Sequence, residues 1–352
     1  MKYPEFTLEH LLRLTDETGI IQHARYHLPY RATGYTTDDN ARALLAALNA
    51  YQITGQREAL PLVQRYLTFL HYAQLPSGHF HNFMNYDRSW ADQVGSEDSF
   101  GRAVWALGVT AASLAGRGEG AFAREMFLRA LPWAVRLKFI RGQAFSLLGL
   151  SEYLAVYQEA PVKSAAATLA QKLLAAYHRE ASEDWPWFED RLTYSNAILP
   201  AALFAAYRRL GGHELLEVAE RSLGFLTDVM WHGRYFKLIG CHGWYVKGGE
   251  PAPWDEQPED AGCLVLAYNE AHRATGKTAY LKRAEAAFEW FLGRNARGES
   301  LYDPETGGCH DGLTENGLNA NQGAESLLAY LLSHLEVTAA LTTQQGQVST
   351  SG

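Results

Sequence analysis

Six segments of this chain open the same way, with a polar or acidic cluster that runs straight into alanines, leucines and glycines. They begin at Asp38-Asp39-Asn40-Ala41-Arg42, Glu97-Asp98-Ser99-Phe100-Gly101 and Gly142-Gln143-Ala144-Phe145. The other three begin at Thr193-Tyr194-Ser195-Asn196, Glu259-Asp260-Ala261-Gly262 and Asn319-Ala320-Asn321-Gln322. Their starts recur roughly every 45–65 residues, enough for two helices and a loop. Six helical hairpins in 352 residues point to a closed ring rather than an open solenoid. Such a ring gathers six polar helix starts at one mouth.

The segments after these starts are apolar nearly all round, as in Ala41–Leu48, which marks helices buried on several sides. The segments between them are one-sided. In the stretch 57–72, Leu60, Val63, Leu67 and Leu70 share a face, while Arg57, Glu58, Gln64 and Arg65 point elsewhere. The stretches 214–230 and 278–292 repeat the pattern, and 8–14 supplies a first outer helix. Joints from inner to outer helix are short and glycine-rich (Gly55, Gly116, Gly211, Gly276). Joints from outer to inner helix are long: 18–37, 76–96, 180–192, 232–258 and 295–318. Long ordered loops usually carry function, and all five rise from one face. The expected fold is therefore all-α, an (α/α)6 barrel of about twelve helices forming a single domain over residues 1–340. A disordered polar tail is expected over 341–352.

A formal net charge of -8 with no basic run argues against nucleic acid as a partner. No apolar run spans a membrane and the start lacks a signal-peptide pattern. Cys241, Cys263 and Cys309 are widely spaced, so neither a disulfide framework nor a zinc ribbon is indicated. A cytoplasmic protein without cofactor or metal is the expectation. His79 and His81 lie in a loop without a third convergent ligand. The chain also lacks a Gly-x-Ser-x-Gly elbow.

The chemistry-bearing residues sit in the long loops and helix starts. Asp38 and Asp39 follow Tyr35; either acid alone suits a helix cap, but two exceed that need. The loop His79–Trp90 alternates aromatics with Asn and holds Tyr86, Asp87 and Arg88 before Glu97-Asp98. The loop Asp184–Asp190 holds Trp185, Trp187, Glu189 and Asp190. A fourth cluster places Trp244 and Tyr245 ahead of Glu259-Asp260, and a fifth carries Glu315, Asn316 and Gln322. Paired carboxylates at an aromatic-lined mouth suit glycoside chemistry, one acid protonating the leaving oxygen and the other acting as base or nucleophile. Candidate catalytic acids are thus Asp38, Asp39, Glu97, Asp98, Asp190, Asp260 and Glu315, with Asp39 and Asp98 foremost because they open consecutive inner helices. Tyr35, Tyr86, Asp87, Arg88, Trp185, Trp187, Trp244, Tyr245, Asn316 and Gln322 are candidate contacts for an oligosaccharide.

The motifs Gly34-Tyr35-Thr36-Thr37-Asp38-Asp39-Asn40, His81-Asn82-Phe83-Met84-Asn85-Tyr86-Asp87-Arg88 and Gln257-Pro258-Glu259-Asp260-Ala261 carry a resemblance, as does Glu315-Asn316-Gly317 with Asn319–Ser326. Over nearly its whole length the chain resembles an uncharacterised group of helical-toroid carbohydrate-active proteins. That group bears the label glycosyltransferase and occurs beside or fused to sugar-nucleotide transferases. The resemblance implies a sugar ligand and a possible glycosyltransferase partner. The label itself fits badly, since a nucleotide-sugar transferase of the usual kind needs βαβ units and none is present. More broadly the chain is similar to (α/α)6 glycoside hydrolases, phosphorylases and sugar epimerases. N-acylglucosamine-epimerase relatives use histidines on inner helices, and no histidine opens an inner helix here. The expected activity is therefore glycoside hydrolysis. The rival expectation is a non-catalytic glycan-binding or scaffolding module serving a glycosyltransferase.

Overall fold

The computed structural model describes residues 3–350 and shows twelve α-helices in sequence. The even-numbered ones form the inner ring: α2 (Thr37–Asn49), α4 (Glu97–Ser113), α6 (Ile140–Tyr153), α8 (Ile198–Leu210), α10 (Pro258–Thr275) and α12 (Ala324–Thr350). Each contacts the next, and α12 closes back on α2. The outer helices are α1 (Glu9–Leu14), α3 (Ala59–Ala73), α5 (Gly118–Ala134), α7 (Ala160–Glu180), α9 (His213–Met230) and α11 (Ala279–Glu289). This is an (α/α)6 barrel. Helix α12 continues through 341–350, most of the segment expected as a tail, while residues 351 and 352 lie outside the described residues.

Burial follows the two hydropathy patterns. On α9 the buried side chains are Leu215, Val218, Ala219, Ser222, Leu223, Leu226 and Met230, a single stripe. On α6 every residue from Arg141 to Ser151 is buried. The inner helices start where the polar clusters stand. The Thr36 hydroxyl accepts the Asp39 amide at 2.9 Å and donates to the Asp39 carboxylate at 2.7 Å, a reciprocal cap for α2. Opposite ends stop on glycine, with Gly55 and Gly276 in the left-handed region.

One seam in the ring is tighter than the rest. A Cβ on Gly101 would lie 2.5 Å from the Gly142 carbonyl oxygen, and one on Gly108 would lie 2.3 Å from that of Gly149. Each pair repeats seven residues on, so α4 and α6 touch backbone to backbone over two turns.

The long loops are laced into a rim. Tyr35-Thr36 pairs with Phe83-Met84, and Arg191-Leu192 pairs with Tyr245-Val246, each joining loops of different repeats. Glu256 and Leu313 form a further bridge. The buried Glu256 carboxylate fixes that joint by accepting the Leu238 amide and the Trp290 indole N–H, each at 2.9 Å.

Candidate active site

The first turns of inner helices carry Asp38 and Asp39, Glu97 and Asp98, Glu259 and Asp260, and Glu325. Acids belong there because free amides and the helix dipole make each N-terminus electropositive. One turn further in, Arg42 of α2 and Arg102 of α4 reach across the lumen. Arg42 binds Asp39 at 3.0 Å, Glu325 at 3.0 Å, Glu259 at 3.1 Å and Asp38 at 3.2 Å. Arg102 binds Glu259 at 2.7 Å and Asp38 at 3.0 Å, and its guanidinium lies 4.0 Å from the Phe145 ring centre. Ser195 donates to the same Glu259 oxygen at 2.9 Å. A buried bridge therefore ties α2, α4, α10 and α12 together under the rim.

Beside this bridge, Arg141 of α6 organises the approach to α8. It donates to Glu189 at 2.8 Å, to the Thr193 hydroxyl at 2.7 Å and to the Tyr194 carbonyl at 2.6 Å. Its guanidinium also sits 4.7 Å from the Tyr194 ring centre. The Tyr194 hydroxyl donates to Asp98 at 2.5 Å. Tyr194 is 42% exposed, and the half-buried Trp244 stands 6.5 Å away, held by a backbone φ of 58°. Asp98, Tyr194 and Trp244 thus form one open patch.

Adjacent acids on α10 are driven in opposite directions. Burial alone pushes Glu259 up, but Arg102 and Arg42 overcome it and hold the carboxyl at about 2. Asp260 has no arginine this close. Burial, then the neighbouring Glu259 charge, raises it to about 8 against the Asn196 amide and Arg141, which favours its protonated form. One of its oxygens, Oδ2, is buried without a hydrogen-bond partner among the described residues. Asp39 rises to about 7, because burial outweighs the pull of an Arg42 that it shares with three other acids.

The remaining residues expected at the site separate clearly. Asp39 spends its oxygens on Thr36 and Arg42, and Glu97 accepts the Lys138 and Phe139 amides at 2.7 Å, which fixes the start of α6. Asp190 is exposed and paired with Arg191, and Glu315 is exposed at a hairpin turn. Trp185 and Trp187 are not stacking platforms. At 3% and 0% exposure they wedge the third loop against Phe225 and Tyr245. Tyr35 is likewise buried, with its hydroxyl on Asp16 and Tyr86 stacked over it. Gln322 is buried and holds Asp303 and Thr306. Arg88 pairs with Glu17, Asp87 caps its own turn through Ser89, and Asn316 lies at the hairpin turn of Glu315. Tyr245 packs edge-on against Trp185.

Arg42, Arg102, Arg141 and Tyr194 are not among the candidates the sequence offers, and Glu259 enters there only as the neighbour of Asp260. A signal existed: both Asp38-Asp39 and Glu97-Asp98 are followed by arginine four residues after the first or second acid, one turn deeper on the same face. Among the described residues, no group of three or more His, Cys, Asp or Glu is placed to hold a metal ion.

No family model matches the chain, and no curated protein matches it either. Solved structures do resemble it. A sugar epimerase from a ruminal bacterium superposes with a TM-score of 0.73 at 14% identity, covering 94% of each chain. The cellobiose 2-epimerase of Bacillus thermoamylovorans gives 0.73 at 11% identity, over 94% of this chain and 95% of that one. An inactive α-1,6-mannanase variant from a Salegentibacter species, in complex with α-1,6-mannotriose, gives 0.64 at 10% identity, over 94% and 96%. At these identities the likeness establishes the (α/α)6 fold, and function rests on the site.

Proposed function

We propose that the rim-side mouth binds an oligosaccharide and hydrolyses a glycosidic bond, with Asp260 as general acid and Asp98 as the second carboxylate. The carrying observation is the pair on α10: a protonated Asp260 with an unspent oxygen, next to a Glu259 that stays ionised. Neighbouring acids with pKa values driven apart are how one site holds an acid and an anion at the same pH. Asp260, whose Oδ2 is buried at the start of α10, gives its proton to the glycosidic oxygen as the C1–O bond breaks, once the mouth opens around the bound sugar. Asp98, steadied by Tyr194, takes a proton from the water that adds to C1. Trp244 and Tyr194 offer faces to sugar C–H groups, and Arg141 orients Tyr194. The carbohydrate-acting proteins of the same fold support this substrate class. Free thiols at Cys241, Cys263 and Cys309 accord with a cytoplasmic setting. Among the described residues, no helix is long and apolar enough to cross a membrane.

A second reading has its own observation. Asp38, Asp39, Glu259 and Glu325 are all engaged by Arg42 or Arg102, an arrangement that also suits a glycan-binding module serving a glycosyltransferase. Incubation with a panel of α- and β-linked oligosaccharides, α-mannosides included, followed by 1H NMR in D2O separates the outcomes. New reducing ends that vanish in Asp260→Asn establish hydrolysis. Saturable binding without turnover establishes the module, and deuterium entering at C2 without cleavage overturns both in favour of epimerisation.

A further inference from the structure

Beneath the Arg42–Glu259–Arg102 bridge the lumen widens into a chamber of about 340 Å3, which runs toward the opposite end of the barrel. We propose that this chamber binds a small primary amine with an apolar body, entering from the end away from the rim. The inference does not depend on the rim chemistry.

The chamber's wall is apolar and partly aromatic. Trp105 and Phe145 stack at 6.1 Å with an interplanar angle of 16°, and Leu148, Leu266 and Leu332 complete the lining around them. A volume near the lower end of ligand cavities, which span roughly 300–1,000 Å3, fits a ligand of about ten heavy atoms. Ser113, the last residue of α4, lines the chamber and is exposed, so the cavity reaches solvent at that end.

The charge at this mouth is unevenly spent. Arg208 is committed to Glu270 at 2.6 Å, and Arg273 to Glu270 at 2.7 Å and Glu336 at 2.6 Å. Arg209 turns away to the Ser151 carbonyl at 3.0 Å. Glu152, on the chamber wall, has no hydrogen-bonded partner among the described residues: Arg208 stands at 3.8 Å, and Arg209 and Arg273 act on it from further off. It is the carboxylate with capacity left. The ends of α4, α6 and α8 also meet here, at Ser113, Glu152 and Arg208, and C-terminal carbonyls favour a cation. An ammonium at Glu152 satisfies both, while the body of the ligand lies along Trp105.

The test titrates the full-length protein with 2-phenylethylamine, 2-phenylethanol and 3-phenylpropionate by isothermal calorimetry at neutral pH. The amine binds saturably, the alcohol roughly tenfold more weakly, and the acid more weakly still, because a charge-assisted contact is lost and then reversed. Glu152→Gln brings the amine down to the affinity of the alcohol and leaves the alcohol unchanged. Val109→Phe, which fills the chamber wall, abolishes binding of both in a protein whose thermal melt shows it folded. Equal affinity for amine and alcohol, an amine indifferent to Glu152→Gln, or no amine binding by the unaltered protein overturns the proposal. Should Val109→Phe fail to fold, the Glu152→Gln pair of titrations decides alone.

Discussion

The two ends of the barrel use the same ingredients, arginine and carboxylate, in opposite arrangements. At the rim end two arginines stand in the middle and acids from three inner helices converge on them. At the far end three acids surround Arg208 and Arg273. The polarity of the ring explains the difference. Six inner helices point the same way along the lumen on average, so one mouth presents free amides and collects acids, while the other presents free carbonyls and collects arginines. A barrel of this kind therefore has one mouth that favours acids and another that favours cations before any ligand is considered. The loops sharpen the contrast, with a laced rim at one end and glycine turns at the other.

The largest expected effect tests what the acid-rich end does. If the proposed hydrolysis operates, Asp260→Asn lowers turnover on the order of 10²–10⁴-fold, the usual span for a positioned proton donor, while circular dichroism stays unchanged. Retained turnover ends the assignment.

The ends should also differ in what their ion pairs are worth. Arg102→Met leaves the buried Glu259, and Asp38 with it, to Arg42 alone and should cost up to about 3–5 kcal/mol in urea unfolding. Arg273→Met, at a side chain that is more than a third exposed, should cost about 1 kcal/mol or less. Equal losses would mean that burial does not distinguish the two networks.

The pH dependence of stability sharpens the comparison further. Between its ordinary value of 3.8 and about 8, Asp260 carries a proton when folded that it lacks when unfolded. Its contribution is complete below pH 4 and is lost as pH rises through about 8, by up to about 1.4 kcal/mol per pH unit. Asp39 and Glu256, both raised to about 7, act with the same sign. Glu259 acts oppositely, and its contribution is lost as pH falls from 4.5 toward about 2. The urea midpoint should decline from pH 5 to 8.5, less steeply in Asp260→Asn. A flat profile in the unaltered protein would refute the protonated acid.

The smallest effect is the one expected at Asp190, whose exposed carboxylate is spent on Arg191. Asp190→Asn should change stability by less than about 0.5 kcal/mol and leave any rim activity intact. A large loss would return Asp190 to the candidate acids.

Helix order, the one-sided outer helices and the elaborated face were legible in the sequence because each depends on local spacing. The six polar starts mark where amides need partners, and glycines such as Gly55 and Gly276 mark where helices stop. The site was only half legible. Asp98, Asp260 and Trp244 stand where the helix starts and loops place them. Trp185 and Trp187 looked like platforms because a tryptophan beside acids reads the same whether its ring faces water or Phe225. Glu259 and Asp260 are neighbours in sequence, and it is the reach of Arg42 and Arg102 to Glu259 from other helices, with burial of Asp260, that drives their pKa values apart. Contacts spanning more than 150 residues leave no periodic trace.

The backbone seam between α4 and α6 carries a consequence for how such a chain can diversify. Gly101 and Gly142 leave no room for a side chain on either helix, and neither do Gly108 and Gly149. A lineage that enlarges one member of a pair must move both helices apart at once, and the Arg102–Phe145 contact with them. These four positions should therefore covary as a block, drifting together or standing still, while the outer helices accumulate change independently.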